Sequence, residues 1–264
     1  MPSLPAPPQP SPDATAAGDS DALAEARDAA AGGATKRAYV RRMFSDIAPR
    51  YDLLNHVLSA NVDRAWRRRA IRRLAWERDP GGTFLDLCAG TLDIAVQLAR
   101  RPGFHGRVVA ADFAEPMLRA GTEKRAGLAV APVTADALQL PLADASVAGA
   151  IVAFGVRNVA DLDAGLREVH RVLRPGGRFV ILEFSMPRSP LVRAGYLAYS
   201  RHVLPLVGRL VSGHRSAYQY LPDSVARFPT GDALAARLRA AGFASVSWES
   251  LTFGIAAIHT AVKA

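Results

Sequence analysis

This chain of 264 residues contains one cysteine and no unbroken apolar run long enough to cross a membrane. A single thiol, Cys88, cannot close an intrachain disulfide or supply a cluster of zinc ligands, which excludes a disulfide-rich secreted domain and a structural zinc site. The longest apolar stretch, residues 196–211, is interrupted by Arg201, Pro205 and Arg209. Acids are also scarce, because 24 Asp and Glu oppose 33 Lys and Arg, for a net charge of +9. We expect a cytoplasmic protein that needs no metal and is attracted to an anionic partner.

The first 35 residues contain few large apolar side chains. Six prolines lie among the first twelve residues, and Ala, Gly, Ser and Asp dominate the remainder. Such a segment buries too little apolar surface to offset the entropy lost on ordering. We therefore predict a disordered tail over residues 1–35 and a folded domain over residues 36–264.

From residue 83 onward, short apolar runs alternate with helical patterns, which indicates βαβ units and a parallel sheet. The last two predicted strands, residues 243–251 and 254–262, are separated by only Thr252 and Phe253, and strands joined so closely must be antiparallel. We predict an α/β fold with a doubly wound, mostly parallel sheet and a C-terminal antiparallel hairpin. The other predicted strands are residues 83–87, 107–111, 128–134, 147–154 and 178–184, and the predicted helices are residues 92–101, 115–125, 161–173 and 232–241.

The segment from Phe84 to Asp93 has the pattern of a buried strand, a tight turn of small residues and the start of a helix. Open α/β sheets bind ligands at the carboxyl ends of their strands, so this turn predicts a ligand site. Asp86 and Asp93 flank the turn. Each either holds the ligand or ties the amides of the loop.

Asp112 ends the second predicted strand, where its carboxylate can accept hydrogen bonds from both hydroxyls of a ribose. A structural alternative exists, because Asp112 and Glu115 have the spacing of a capping box. We favour ligand binding, because a strand end beside the small-residue turn is where a nucleoside would lie. Asp136 and Ala137 follow the third strand and would then lie beside the adenine, although an Asp in a loop is more often simply solvated.

The turn lacks the full G-x-G-x-x-G spacing, which favours a ligand with adenosine but no pyrophosphate. Four motifs resemble those of class I methyltransferases, Rossmann-like enzymes that use S-adenosylmethionine (SAM). Four further motifs resemble, more narrowly, the ubiquinone/menaquinone C-methyltransferase family, over residues 36–264. The first four are Asp86-Leu-Cys-Ala-Gly-Thr-Leu-Asp93, Ala111-Asp-Phe-Ala-Glu-Pro-Met-Leu118, Phe154-Gly-Val-Arg-Asn-Val159 and Val172-Leu-Arg-Pro-Gly-Gly-Arg-Phe179; the others are Phe44-Ser-Asp-Ile-Ala-Pro-Arg-Tyr-Asp-Leu-Leu-Asn55, Leu182-Glu-Phe-Ser185, His202-Val-Leu-Pro205 and Tyr218-Gln-Tyr-Leu221.

The resemblance implies that SAM is the methyl donor and that residues 36–80 form a helical lid over it, with residues 186–230 on the substrate side. The resemblance implies contact with SAM for Tyr51, Thr91, Asp112, Asp136 and Ala137. Asp86 and Gly90 join these candidates because they belong to the turn considered above. Two positions depart from the family pattern, because Leu92 stands where the family usually has Gly and Ala153 stands where some members place a Ser near the cofactor. We expect Leu92 to keep an ordinary negative φ and to point into the helix packing.

The resemblance implies methylation of a ring carbon of a polyprenylated hydroquinone, with demethylmenaquinol as the first expected substrate and the benzoquinol of the ubiquinone pathway as a second. Removing a phenolic proton beside that carbon supplies the nucleophile, so the protein must position the ring and handle a proton. Arg157 either stabilises the phenolate or forms a structural salt bridge. Asn158 is placed to orient a quinol oxygen. Tyr218, His202 and Tyr220 either act as the base, position the ring or only pack.

Residues 64–73 contain six arginines, and Trp66, Ala70, Ile71 and Leu74 share one helical face, leaving the arginines on the other. Such a face is usually only solvated, but polybasic amphipathic helices also attract anionic lipid. Apolar residues of 197–211 form a second amphipathic stretch, for which core packing is the plainer use. We expect peripheral association with the inner face of an anionic membrane, where a quinol substrate would reside.

Two other functions compete. The pI near 10.4 is typical of RNA-binding proteins, but the basic cluster has one aromatic residue rather than interleaved stacking residues, so we expect no nucleic-acid partner. A dinucleotide dehydrogenase is disfavoured by the incomplete glycine fingerprint and the terminal hairpin.

Overall fold

The computed structural model describes residues 12–32, 35–51, 59, 61–203 and 215–264. Seven strands form one sheet in the order β3-β2-β1-β4-β5-β7-β6. The first five strands are parallel, whereas β7 is antiparallel to both β5 and β6, which confirms the predicted fold class. The strands are β1 (Thr83–Leu87), β2 (Arg107–Asp112), β3 (Val130–Thr134), β4 (Val147–Ala153), β5 (Leu173–Phe184), β6 (Ser245–Leu251) and β7 (Ala256–Val262).

Helices cover the sheet and its carboxyl edge. The α-helices are α1 (Pro12–Ala31), α2 (Lys36–Ile47), α3 (Val62–Leu74), α4 (Asp93–Ala99), α5 (Glu115–Ala120), α6 (Leu162–Val172), α7 (Pro190–Ala198), α8 (Arg215–Arg227) and α9 (Gly231–Ala240). Short 3-10 helices lie at Ala48–Arg50, Trp76–Arg78, Thr122–Arg125, Val156–Asn158 and Thr252–Gly254, and a π-helix continues α7 over Tyr199–Val203.

Successive strand residues point to opposite faces of the sheet, so each strand contributes to two core layers. On one face Phe84 packs among side chains that include Ile71 and Leu98, from α3 and α4. On the other face Leu85 packs with Leu166 of α6 and residues of α9. Because both faces are covered, the central strands are continuously apolar and the polar site residues gather at their carboxyl ends.

Several boundaries differ from the prediction, among them the start of β5 at Leu173 rather than at residue 178, and two of the differences have a local reason. The predicted helix over residues 115–125 is α5 followed by a 3-10 turn. The break falls at Gly121, where a Cβ would lie 2.4 Å from the carbonyl oxygen of Thr91. The predicted C-terminal hairpin is confirmed, but four residues rather than two connect its strands, and they include the 3-10 turn Thr252–Gly254.

The predicted disordered tail over residues 1–35 is wrong for residues 12–31, which form α1. Ala26, Ala29 and Ala30 of α1 are buried in a cluster with Tyr39 of α2 and Tyr220 of α8. Alanine has the highest helix propensity, and its short side chain lets helices approach closely, so few large apolar groups were needed. Residues 1–11 lie outside the described residues.

The arginine-rich segment forms α3, and Trp66, Ala70, Ile71 and Leu74 are buried as predicted. The arginines do not all lie on the opposite face. Arg67 is buried and forms ion pairs with Asp63 of the same helix and with Asp93 of α4. Its charge is therefore paired inside the protein and is not available at the surface.

Candidate functional site

The turn between β1 and α4 uses left-handed backbone at three positions. Cys88, Gly90 and Leu92 have φ values of 53°, 53° and 69°. The prediction of a negative φ at Leu92 is wrong, because Leu92 precedes α4 directly and the chain must turn sharply from strand to helix there. The second part of that prediction is confirmed, because the Leu92 side chain is fully buried in the core. Burial of the side chain compensates for the backbone strain.

Asp112 ends β2 and lies beside this turn. Its Oδ2 accepts a hydrogen bond from the backbone N–H of Gly90 at 2.9 Å, and its Oδ1 accepts one from Ala114 at 2.8 Å. The capping-box alternative is not what the structure has, because Ala114 occupies the N-cap of α5 and no side chain caps the helix. Burial raises the pKa of Asp112. Backbone amides of Ala114, Gly90 and Phe113 contact this carboxylate, which has about four acceptor sites, so Asp112 can still accept from a ligand hydroxyl.

Asp86 and Asp93 do different things in the structure. Asp86 is buried, and its Oδ2 accepts from the backbone N–H of Ala95 in the first turn of α4 at 3.0 Å. Burial raises its pKa to about 8. Asp93 instead pairs with Lys124 at 2.8 Å and with Arg67 at 3.6 Å. Both contacts favour the structural alternative, in which these carboxylates hold the loop and the helix start.

A pocket opens where β1, β2, β3 and β4 end. The predicted residues Asp112, Asp136, Ala137 and Asn158 all lie on its wall. The wall also includes Arg37, Leu87, Cys88, Ala111, Phe113, Ala135, Gly155, Val159 and Ala160. The structure thus brings together carboxylates that the sequence placed at separate strand ends.

The sequence analysis missed two cations of α2 at the pocket. Arg37 forms an ion pair with Asp136 at 2.5 Å, and both residues line the pocket. Lys36 donates to the carbonyl oxygens of Arg157 and Val159, each at 3.0 Å, and burial lowers its pKa. The start of α2 is therefore fastened to both sides of the pocket. Lys36 and Arg37 stand among other basic residues of 36–42, so nothing in the local sequence distinguishes them from solvated surface residues.

Arg157 forms a buried salt bridge, which was the structural alternative to a role in stabilising the phenolate. Its Nη1 lies 2.7 Å from Glu183 Oε1, at the end of β5, and also donates to the carbonyl oxygen of Phe154. Its Nε donates to Ser224 Oγ at 3.3 Å. Burial acts to lower the pKa of Arg157, but the combined effects of Glu183, Tyr220 and Tyr51 outweigh it and the pKa is raised. Glu183 was not predicted, although it stands in the quoted Leu182-Glu-Phe-Ser185 motif.

The side chain of Asn158 contacts Tyr220 of α8. The Tyr220 hydroxyl donates to Asn158 Oδ1 at 3.0 Å, and both side chains are buried. Burial raises the pKa of Tyr220 to about 12, so this phenol is a poor base near neutral pH. Tyr220 also packs against Tyr39, with ring centroids 5.5 Å apart.

Of the remaining predicted residues, Tyr51, Gly90 and Thr91 lie at the turn. A Cβ built on Gly90 would be 3.8 Å from the Tyr51 ring, and Thr91 is buried. None of these three residues is on the pocket wall itself, and neither is His202, which is exposed on the π-helix. Tyr218 lies on α8, but its side chain is outside the described residues, as are residues 52–58.

No metal-binding group is found in the described part of the chain, where no three His, Cys, Asp or Glu side chains cluster suitably. The same residues include no helix that is both long and apolar enough to span a bilayer.

Comparison with solved structures supports the fold. The chain superposes on the crystal structure of the cyclase SpnF with a TM-score of 0.64 and 19% sequence identity, covering 86% of this chain and 96% of that one. A methyltransferase from Haloferax volcanii, in complex with the activator Trm112, gives a TM-score of 0.59 at 17% identity and covers 83% of this chain and 96% of that one. Identities this low show the fold alone.

Sequence relatives are much closer. The demethylmenaquinone methyltransferase of Thermus thermophilus is 51% identical over 220 residues, which cover 82% of this chain and 98% of that protein. The ubiquinone/menaquinone biosynthesis C-methyltransferase UbiE of Geobacter sulfurreducens is 44% identical over 232 residues, covering 85% of this chain and 88% of that protein. Residues 33–263 also match the sequence model of a single family, the ubiE/COQ5 methyltransferases. The resemblance in the motifs is confirmed, the dehydrogenase alternative is excluded, and the chain belongs to the ubiE/COQ5 methyltransferase family.

Proposed function

We propose that this enzyme uses SAM to methylate a ring carbon of a polyprenylated hydroquinone, with demethylmenaquinol as its substrate. The observation that carries the proposal is the buried Asp112 carboxylate on the pocket wall, held by the Gly90 amide of the small-residue turn. Family membership supports the reaction type, and the printed names of the relatives support the substrate class.

The residues at the pocket fit SAM in charge and in hydrogen-bonding capacity. SAM, when bound, supplies an electrophilic methyl group on a positively charged sulfur. Burial raises the pKa of the Cys88 thiol, and the neighbouring carboxylate of Asp112 adds to this effect, so the wall beside Cys88 favours a cation. Asp112 would hold the ribose, and Asp136 with Ala137 would lie beside the adenine. Gly90 and Thr91 would let the backbone approach the amino-acid end.

We propose that Arg157 and Asn158 face the quinol. The Nη2 group of Arg157 makes no hydrogen bond within the described residues, whereas Nη1 and Nε are both engaged. A guanidinium that is anchored at two nitrogens and open at the third is preorganised to donate to a developing phenolate. Glu183 holds this group in position, and Asn158 would orient a quinol oxygen through its amide nitrogen.

Peripheral association with an anionic membrane is part of this proposal. Arg64, Arg68 and Arg72 recur every four residues on α3, are exposed, and form no ion pair within the described ranges. Arg69 and Arg73 are less available, because both pair with Glu249 of β6. An unpaired row of arginines supports attraction to anionic lipid, where a polyprenylated substrate would reside.

Incubating the purified protein with SAM and demethylmenaquinol, with mass-spectrometric detection of menaquinol, tests the function directly. The same assay with the benzoquinol substrate decides whether one enzyme serves both ring types. Thermal shifts with SAM and with RNA, together with RNA retention across a salt series, test the alternative of an RNA methyltransferase. Methylation of RNA without methylation of either quinol would overturn the proposal.

The role of Arg157 is separable from its salt bridge. Arg157→Gln alone leaves Glu183 buried without a partner and should cost about 3–5 kcal/mol of stability. Combining it with Glu183→Gln removes both charges and should recover most of that stability. We expect the double variant to bind SAM normally but to have a low kcat and a pH profile shifted to alkaline values. A double variant with wild-type kcat would remove Arg157 from the chemistry.

A further inference from the structure

Exposed apolar side chains gather at the edge of the sheet that carries the pocket. Among the described residues, the large hydrophobic side chains left exposed are Val62, Leu191, Val203 and Phe253, and Leu191 and Phe253 are each 83% exposed. Phe253 lies at the tip of the β6–β7 hairpin. Because β7 is antiparallel to β5, with Ala256 opposite Phe184, this tip lies at the carboxyl end of β5. Leu191 begins α7, a few residues after β5 ends.

The hairpin tip holds Phe253 outward at a conformational cost. Thr252, Phe253 and Gly254 have successive φ values of 45°, 56° and 96°. A left-handed φ is unfavourable for a β-branched and an aromatic residue. The tip is nevertheless well fastened, because Trp66 Nε1 donates to Thr252 Oγ1 at 3.0 Å and Ser185 Oγ donates to the Gly254 carbonyl oxygen at 2.7 Å. A strained turn that keeps a phenyl ring in water indicates a function for that ring.

The neighbouring segment supplies positive charge without compensating acids. Residues 184–222 contain five arginines and no Asp or Glu. Arg188 pairs with Asp232, but Arg193 and Arg201 are exposed and form no ion pair within the described residues. Unpaired arginines beside protruding apolar side chains match the two layers of an anionic bilayer, phosphate outside and acyl chains below.

We propose that Phe253 and Leu191 insert into an anionic lipid bilayer, with Arg193 and Arg201 against its headgroups. This inference rests on the proposed function in one respect, because a membrane-borne quinol explains why the pocket edge should face lipid. Behind the tip, the rings of Trp66, Phe184 and Phe154 follow one another at 6.3 and 4.6 Å between centroids, and Phe184 lies 5.6 Å from the guanidinium of Arg157. A row of packed aromatic rings thus connects the hairpin tip with Arg157.

Insertion is measured without substrate or cofactor, so its outcome does not depend on the reaction. The probe is Phe253→Trp with vesicles of phosphatidylglycerol and phosphatidylcholine whose acyl chains are brominated. We expect tryptophan quenching well above that of the wild type, in which Trp66 and Trp76 are buried and Trp248 is half-buried and stacked on His259. Phe253→Ser and Leu191→Ser should each weaken partition into these vesicles by about tenfold, and Phe253→Leu should keep most of it.

Two controls separate the proposal from its alternatives. Arg68→Gln with Arg72→Gln on the outer face of α3 should lower binding at low salt but leave the quenching of bound Phe253→Trp unchanged. All tip variants should keep wild-type kcat/KM on a short-chain soluble quinol. Vesicle binding by the Phe253→Trp protein without quenching, or unchanged partition of Phe253→Ser, would overturn the proposal. Loss of activity on the soluble quinol would instead place Phe253 in the active site and equally overturn it.

Discussion

At the scale of single residues, the backbone and the side chain of Leu92 affect the stability of the fold in opposite directions. Its left-handed φ of 69° costs about 1–2 kcal/mol for a residue with a Cβ, whereas its fully buried side chain contributes more than that to the core. Leu98 is a natural comparison, because it is equally buried but lies within α4.

The two leucines should respond oppositely to glycine. Leu92→Ala should lower the free energy of unfolding by about 2–5 kcal/mol, and Leu92→Gly by about 1 kcal/mol less, because glycine relieves the backbone. At Leu98 the order should reverse, with glycine about 1 kcal/mol worse than alanine. Urea unfolding of the four variants checks both orders. SAM affinity of the Leu92 variants should stay within about tenfold of wild type, and a large gain would show that Leu92 obstructs the pocket.

Asp86 gives the stability a defined pH dependence. Its pKa is about 8 in the folded protein, because burial disfavours the charged form, and 3.8 for an unperturbed carboxyl. Between these values the folded state holds a proton that the unfolded state has released, so the free energy of unfolding must fall as pH rises from about 4 to about 8. Asp86→Asn keeps the acceptor for the Ala95 N–H and should remove this contribution. Stability curves of the two proteins that stay parallel over this range would contradict the assignment.

At the scale of elements, α2 joins the two sides of the pocket through Lys36 and Arg37. The Arg37–Asp136 pair spans the pocket mouth, but the Arg37 side chain is 65% exposed, which limits its strength to about 0.2–1 kcal/mol. We therefore expect α2 to hold the part of the pocket that we propose for SAM only weakly.

Arg37→Gln should release bound SAM faster, by no more than about fivefold, because only this exposed pair is lost. The effect should shrink as salt screens the wild-type pair. Arg41, exposed on the same helix, provides the matched control, and Arg41→Gln should leave the dissociation rate unchanged. Stopped-flow measurement of SAM release at low and high salt checks both variants. Equal rates for wild type and Arg37→Gln would mean that α2 does not restrict the cofactor.

At the scale of the whole molecule, α1 lies before residue 33, where the family match begins. It packs through small side chains on α2 and α8, with the ion pair Arg42–Glu25 at its edge. Its contribution is therefore to stability, while the sheet edge and pocket belong to the part shared with the family.

Deleting residues 1–32 should lower Tm by about 5 °C and leave SAM affinity unchanged, because the three buried alanine methyls contribute about 2 kcal/mol. Ala29→Asp should reproduce the loss by placing a charge in the cluster, whereas Ala24→Asp, at an exposed position of the same helix, should not. Calorimetry and SAM titration check these outcomes. A deletion that abolishes SAM binding would show that α1 shapes the pocket through Tyr220.

The sequence by itself determined the strands, the closing hairpin and the strand-end positions of Asp86 and Asp112, because periodicity and turn chemistry are local properties. It also determined the family, since several motifs recur in order. Only the tertiary structure decided which partners these groups have: Arg157 with Glu183, Arg37 with Asp136, and α1 with α8. Those pairs lie far apart in sequence, and the order of the strands brings them together. The left-handed φ of Leu92 was also decided by the tertiary structure, because packing of its buried side chain overrode the local backbone preference.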